Sequence, residues 1–376
     1  MLPFARMLKY GNKIEVNKIK KSVSAVYLET ILTQDGTLYA HGEDSTYSSG
    51  QSTPLTAYGE LKTIAQDVQD VWLGSFSVII KGGKIYGSGP KQAFTNSSTI
   101  QQGYADWSGY FNGIDVTQIK KMLCGYTVFV LMNDGTLYGR GLNRNGCLGL
   151  GHKNFVSQWT ELDTEVDSIY GHYIGDTLFK VKSNGTVWGA GANNSLQIQS
   201  PAGDVTTFVQ LFDNVSYDIT FCSGFGIGFI MGTTDNKIYV TGTTLSGTGT
   251  HSKIFNINFP IGDMSNLYPK YVPYNAGNVI FLVNSDTNKL MATGYTPFTS
   301  SSLSSIPFFE VFQECQFADF NQNIHIEGGS TWWSTFYDDT NIWMNGQPPS
   351  NLNGKNMSMC SIPLGMTITK QIDLPF

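Results

Sequence analysis

The chain has 376 residues, of which 41% are hydrophobic and only 14% charged, and its formal net charge is −6. It can therefore bury ample core, and its surface must consist mostly of neutral polar residues. Lys and Arg form no dense tail or stripe, and their longest run is KIKK at 18–21. Because nucleic-acid binding needs clustered Lys and Arg to neutralise phosphates, nucleic acid is excluded as a partner.

A phrase of eight residues recurs along the chain and organises its predicted elements. It consists of a turn of the Asp-Gly type, an aliphatic residue, usually an aromatic residue, two variable residues and a closing glycine. The closing glycines are Gly42, Gly89, Gly141, Gly191, Gly242, Gly294 and Gly346. Successive copies lie 47 to 52 residues apart, an interval typical of propellers and other repeat proteins.

The third repeat shows the elements of one unit most clearly. Its apolar runs at 116–119 and 128–131 predict two strands, and a third strand follows the Asn133-Asp134-Gly135 turn, a strong hairpin signal. A polar stretch then leads to a fourth short apolar run, without any helical periodicity. Four strands per unit predict an all-β fold, a seven-bladed β-propeller of four-stranded antiparallel blades.

The seven units are predicted to form a single domain over residues 1–376. The predicted blades span 16–67, 68–115, 116–165, 166–214, 215–263, 264–314 and 315–376. The segment 368–372 resembles the start of the first unit, and residues 1–15 resemble the outer strand that precedes a first strand elsewhere. The ring is therefore predicted to be closed by a terminal strand, which either end of the chain could supply.

The closing glycines have a structural explanation. Each is predicted to adopt a positive φ or to lie where neighbouring segments approach closely. The apolar pair in each phrase, such as Leu137 and Tyr138, is predicted to fill the two faces of a strand between blades.

These repeats resemble the regulator of chromosome condensation repeat, whose members form a seven-bladed propeller. The third unit matches best, with Gly125, the Asp134-Gly135 turn, Tyr138, Gly141 and the tail NRNGCLG at 143–149. The resemblance covers all seven units, but the tail is missing from units two, five, six and seven. A frequent His ahead of the second strand is replaced, for instance by Thr127 and Thr177. The resemblance implies the fold and leaves the function open.

No constellation of catalytic residues is found in the sequence. The five histidines are scattered singly, without an HExxH, a GxSxG or a His/Cys pairing. The five cysteines (Cys124, Cys147, Cys222, Cys315 and Cys360) contain no CxxC pair and are predicted to be free, buried thiols. We therefore expect no catalytic residue, no cofactor and no metal ion.

Longer connections follow the glycine phrase at 90–112, 243–259 and 295–308, and the topology should place them on one face. Loops on a rigid scaffold often carry binding. The candidate binding surface comprises Tyr104, Trp107, Tyr110 and Phe111 in the first connection, and Trp332 and Trp333 before the last hairpin. These aromatics suit stacking on sugars or packing against a protein. The alternative is that they fold back and cover the edge of a blade.

A sparsely charged, Asn/Ser/Thr/Gly-rich, divergent propeller without catalytic groups is typical of bacteriophage structural proteins. The predicted function is a non-catalytic virion module on a tail, baseplate, collar or capsid surface, which binds other virion proteins and a host surface glycan or protein. No apolar run of about 18 residues or secretion signal occurs, so we expect synthesis in the host cytoplasm, release within the particle and no membrane insertion.

Two alternatives belong to other classes. One is a cellular protein-binding propeller, such as a regulator of a small GTPase, which would resemble the nucleotide-exchange factors of the family. A propeller that degrades polysaccharides would need two carboxylates about 5–10 Å apart, and no repeated phrase supplies such a pair.

Overall fold

The computed structural model describes residues 19–25, 28–44, 46–53, 55–171, 176–194, 196–198 and 201–213, and then the strands of the C-terminal half whose bounds are given below. Side chains are described chiefly between residues 19 and 213.

The strands pair with their neighbours in chain order to give antiparallel four-stranded sheets. The first two sheets contain β1 (Ile19–Ala25), β2 (Leu28–Thr33), β3 (Leu38–Glu43) and β4 (Thr56–Ala65), then β5 (Val68–Leu73), β6 (Ser77–Lys81), β7 (Lys84–Pro90) and β8 (Ile100–Asp106). The next two contain β9 (Ile119–Cys124), β10 (Thr127–Met132), β11 (Leu137–Gly141) and β12 (Val156–Asp163), then β13 (Val166–Gly171), β14 (Thr177–Lys182), β15 (Val187–Gly191) and β16 (Val205–Phe212).

The C-terminal strands pair in the same order. They are β17 (Ile219–Phe225), β18 (Gly228–Thr233), β19 (Lys237–Thr241), β20 (Ser252–Asn256), β21 (Met264–Tyr271), β22 (Asn278–Asn284), β23 (Lys289–Gly294), β24 (Gln313–Cys315), β25 (His325–Glu327), β26 (Trp333–Tyr337), β27 (Ile342–Gly346) and β28 (Lys370–Ile372). Short helices occur at α1 (Gln92–Thr95) and, with 3₁₀ geometry, at Ser108–Phe111 and Val116–Gln118.

The first strands of neighbouring sheets lie side by side, with β1 against β5, β5 against β9 and β9 against β13. Each sheet is therefore a blade whose first strand is innermost, and the chain is a β-propeller of four-stranded antiparallel blades, as predicted. The apolar core lies between blades. One cluster joins Phe129 and Leu131 of the third blade to Ile169 and Leu178 of the fourth.

Some strand positions differ from the prediction. The third blade begins at Ile119 because a 3₁₀ turn, capped by Asp115 through the Thr117 N–H, occupies 116–118. Cys315, predicted near the start of a first strand, instead ends an outer strand paired with β23. Residues 368–372 resemble a first strand in sequence, but residues 370–372 form a fourth strand beside β27. This pairing agrees with the alternative in which the C-terminal segment supplies the closing strand. Residues 1–15, the other predicted closing segment, lie outside the described residues.

The hairpin turns explain the Asp-Gly-Thr part of the phrase. Asp134 accepts a hydrogen bond from the Thr136 N–H at 2.9 Å, and Asp35 does the same with Thr37 at 2.9 Å. The carbonyl oxygen of the turn glycine Gly135 accepts the Val166 N–H of the next inner strand at 2.9 Å. Each such turn therefore also attaches its blade to the following one.

The closing glycines of the first four blades have φ between 110° and 126°, which confirms the positive φ predicted for them. Gly242 lies outside the described residues, and Gly294 and Gly346 end strands β23 and β27. At Gly191 a Cβ would lie 2.2 Å from the Asp176 carbonyl oxygen, so both conformation and space require glycine.

Replacing Gly191 by alanine is expected to lower the free energy of unfolding by about 2 kcal/mol, because a left-handed conformation and a backbone overlap are both imposed. The matched control is Gly203→Ala, which has a φ of 131° but no heavy atom within 4 Å of its Cβ. The control should lose about half as much. Equal losses in denaturant titrations would show that the close approach contributes nothing.

Candidate functional site

The aromatic side chains of the 90–112 connection pack into the seam between the second and third blades. Trp107 and Phe111 are each 2% exposed. Their rings lie 5.4 and 5.6 Å from the ring of Phe94 in α1. For these two residues the structure favours the alternative in which the aromatics cover a blade edge.

Arg140 of the third blade completes this cluster. Its guanidinium lies over the rings of Phe94 and Trp159, at 5.1 and 5.5 Å from their centroids. It donates hydrogen bonds to the carbonyl oxygens of Tyr110 at 2.8 Å and Phe94 at 3.2 Å. The buried guanidinium of Arg140 thus attaches the 90–112 connection to the third blade.

The other predicted site residues differ from one another in burial and in contacts. Tyr110 is half-buried and stacks on Phe94 at 5.0 Å. The Tyr104 hydroxyl accepts a hydrogen bond from Ser77, and burial raises the pKa of Tyr104, so the phenol stays protonated. Trp332 lies outside the described residues, and the same holds for the side chain of Trp333, which begins β26.

The sequence does not predict the β-bulge that occurs near the start of the inner strands. The bulged residues of the first four blades are Lys20, Gln69, Lys120 and Asp167, and all four are exposed. The same irregularity occurs in β17 and β21. Bulges re-aim side chains at the rims of barrels and beside functional sites. In the sequence, such a bulge is indicated only by a break in the alternation of apolar and polar residues, and this is a weak signal.

Lysines of the first and third blades hold the inner strand of the blade that follows. Lys20 donates through Nζ to the carbonyl oxygen of Gln69 at 2.7 Å, and Lys120 donates to that of Asp167 at 2.7 Å. Both acceptors are themselves bulged residues. The two contacts therefore repeat the same bond at an interval of two blades.

The next position repeats the pattern. Lys21 lies 2.7 Å from the Asp70 carboxylate and 4.6 Å from the centroid of the Trp72 ring. Lys121 lies 4.6 Å from the centroid of the equivalent ring, Tyr170. We name Lys20, Lys21, Lys120 and Lys121 the lysine mouth, since they lie where the inner strands begin.

Acidic residues lie at the same end of the blades as the lysine mouth. Asp35 and Asp134 occupy hairpin turns, while Asp67 and Glu165 precede inner strands, and all four are exposed. Asp67 and Glu165 have φ of 59° and 56°, so they are held in tight turns. We name these four residues the acidic rim, and we name this end of the propeller, with its hairpin turns, the hairpin face.

The described part of the chain offers little for other chemistry. No group of three or more His, Cys, Asp or Glu side chains there is arranged to hold a metal ion. Nor does any helix among these residues have the length and apolarity to cross a membrane. Cys124 and Cys147 are buried thiols outside any disulfide, as predicted, and burial raises the pKa of Cys147 to about 12.

The chain matches no protein-family model and none of the curated proteins by sequence. Among solved structures it is similar to human WBSCR16, with a TM-score of 0.63 and 14% identity over 84% of this chain and 85% of that one. Prp20p from Saccharomyces cerevisiae gives a TM-score of 0.60 and 13% identity over 80% and 77%. Yeast RCC1 (Prp20) bound to Kap60 gives 0.51 and 11% over 95% and 75%. At these identities the likeness supports the propeller fold alone.

Proposed function

We propose that this chain is a non-catalytic, protein-binding β-propeller that folds as one domain of seven blades. The ring is supported by the C-terminal sheets, whose inner strands continue the series until β25 lies beside β1. In this arrangement the C-terminal strand β28 completes the last blade and the lysine mouth opens onto the central channel.

The observation that carries the proposal is the charge pattern of the hairpin face. Bulged strands and tight turns hold exposed charges of both signs at fixed places, and patterned charge gives protein interfaces their specificity and association rate. The aromatics of the 90–112 connection are engaged within the fold instead. The likeness to Prp20p adds support, because that protein is described by its binding to Gsp1p and histones.

A photo-crosslinking amino acid placed at Gln118 tests the proposal in cells that make the chain. Gln118 is exposed on the hairpin face, whereas Gln158 is exposed on the outer strand β12 and Thr99 on the opposite loops. We expect one protein to be crosslinked in stoichiometric amount from Gln118 and not from the two control positions. Equal background capture from all three positions would contradict a protein-binding hairpin face.

We place this function in a cell, as a regulator of a small GTPase or of a similar globular partner. Such a regulator should bind its GTPase only after the bound nucleotide has been removed, which gel filtration with and without a chelator of Mg²⁺ would measure. Tight binding of the nucleotide-loaded form alone would argue against this role.

The virion module remains a second candidate because only 14% of the residues are charged. In that setting the partners are other virion proteins and a host surface glycan or protein. Mass spectrometry of purified particles is the test, and detection at a fixed copy number would establish the virion setting. Its absence would exclude it.

A further inference from the structure

Lys20 has donor capacity beyond its bond within the protein. An ammonium group has three N–H donors, and the described bond of Lys20 ends on a backbone carbonyl oxygen rather than a carboxylate. Lys120 has a similar bond to the Asp167 carbonyl oxygen, and its Nζ also lies 3.3 Å from the Asp167 carboxylate, which leaves it one further N–H. Gln69 lies between the two lysine pairs, and its Oε1 accepts the Gly83 N–H at 3.0 Å. The amide NH₂ of Gln69 is then an additional donor on the hairpin face.

The local charge is opposite to that of the whole chain. At the bulged position and the one after it, the first four inner strands carry four lysines and two aspartates, a net charge of +2 within a chain of −6. In β17 and β21 the corresponding residues are the uncharged Thr220 and Ser265 at the bulge. The opening is therefore a small basic site on an acidic protein.

The acidic rim restricts what can approach this site. Asp35, Asp67, Asp134 and Glu165 lie on the turns outside the inner strands, so a wide polyanion would meet them before it reached the lysines. Duplex DNA carries one charge per about 1.7 Å of its axis and could not avoid the rim. Screening extends over only about 8 Å at physiological ionic strength. A narrow chain entering along the axis would therefore experience mainly the charges of the inner strands, whose sum at these positions is +2.

We propose that the lysine mouth receives a short acidic segment of a partner protein, a run of Asp or Glu at a chain end or loop tip that enters end-on. Its carboxylates would accept hydrogen bonds from Lys20 and Lys120, with Lys21, Lys121 and Gln69 around them. This inference rests on the proposed protein-binding function and names the chemistry of the partner.

The test uses the full chain and a fluorescently labelled hexaglutamate peptide, with binding followed by anisotropy at increasing salt. We expect saturable binding that weakens as salt rises, and a loss of about tenfold or more in the Lys20→Gln/Lys120→Gln double variant. The matched control is Lys62→Gln/Lys153→Gln, which removes two exposed lysines outside the inner strands, Lys62 in β4 and Lys153 in the connection between β11 and β12. Its affinity should equal that of the unaltered chain.

Two further variants keep the test independent of folding. Lys20→Arg/Lys120→Arg retains the charge and should retain binding even if the glutamine variant proves unstable. Asp67→Asn/Glu165→Asn removes rim charge while asparagine still accommodates the left-handed backbone, and it should bind the peptide more tightly. Loss of binding in the arginine variant, or no gain in the asparagine variant, would overturn the assigned geometry.

A short DNA duplex serves as the competing polyanion. If it displaces the peptide from the unaltered chain as effectively as unlabelled hexaglutamate does, the mouth is a general anion surface and the inference fails. If Gln118 captures a partner but hexaglutamate does not bind, the acidic segment is rejected while the protein-binding function stands. Failure of both experiments rejects both.

Discussion

Replacing Trp107 by alanine is expected to lower the free energy of unfolding by about 4 kcal/mol, within the range for truncating a buried aromatic side chain. Trp107 is 2% exposed and its ring lies within 6 Å of the rings of Phe76, Phe94 and Tyr110. The cavity would lie in the seam between two blades, where α1 and Arg140 meet. Denaturant titration followed by circular dichroism measures the loss.

The control is Trp107→Phe, which keeps an aromatic ring in the seam. Among the described residues the Trp107 Nε1 has no hydrogen-bond partner, so phenylalanine gives up no bond there. Most of the stability should remain. If alanine instead left stability intact and abolished binding of a partner, Trp107 would belong to a binding surface, as the sequence allowed.

Replacing Asp163 by alanine is expected to cost about 3 kcal/mol, because it leaves a buried ammonium group without its counter-charge. Lys180 is 4% exposed at its side chain and lies 2.6 Å from Asp163, while Lys182 lies 3.0 Å away. The Lys180 ammonium also lies 3.5 Å from the centroid of the Phe208 ring. Adding Lys180→Met to the Asp163→Ala variant should restore most of the loss, since an apolar side chain needs no partner there.

The same ion pair predicts a pH dependence. Burial, the largest single influence, raises the pKa of Asp163, but the hydrogen bonds from Lys180 and Lys182 together outweigh it and leave the pKa lowered. A carboxyl group with a lowered folded pKa contributes stability above its unfolded pKa, near 4. That contribution is lost as the pH falls through the folded value. Asp163→Ala should therefore lose less stability than the unaltered chain between neutral pH and about pH 3.

Asp167→Ala is the matched control for this pair. Asp167 also contacts a lysine, Lys120 at 3.3 Å, but its side chain is 62% exposed. Exposed pairs contribute at most about 1 kcal/mol. Equal destabilisation by the two alanine variants would mean that burial of Lys180 does not govern the cost.

The local part of the fold could be predicted because its causes are local. Turn residues such as Asp134 and Gly135 determine a hairpin by their own conformations, and the repeat of that hairpin indicates blades. The positions at which strands begin and end depend on pairing with residues that are distant in the sequence. Cys315 lies in an outer strand because of its pairing with β23. A strand of three residues is too short for its apolar and polar pattern to distinguish an outer strand from an inner one.

The candidate site was less accessible to prediction because it is assembled across blades. Whether Trp107 faces solvent or the core depends on Phe94 and on Arg140, which donates to the Phe94 carbonyl oxygen from 46 residues away. The lysine mouth depends on a bulge and on the register between neighbouring inner strands. From the sequence, the run at 18–21 is therefore recognisable only as part of a strand. Nothing in the sequence indicates that Lys120 occupies the same position in its inner strand as Lys20 does.

The bonds between neighbouring blades also bear on how the chain folds while it is being synthesised. Lys20 and Gln69 are 49 residues apart, Lys120 and Asp167 are 47 apart, and Trp159 and Tyr110 are 49 apart. Each newly made blade thus meets a partner completed about one repeat earlier, so folding can advance from the N-terminus with short loop closures. The contact between β25 and β1 spans most of the chain. It must wait for the last strands to be translated, and until then one side of the first blade is open to chaperones and to other nascent chains.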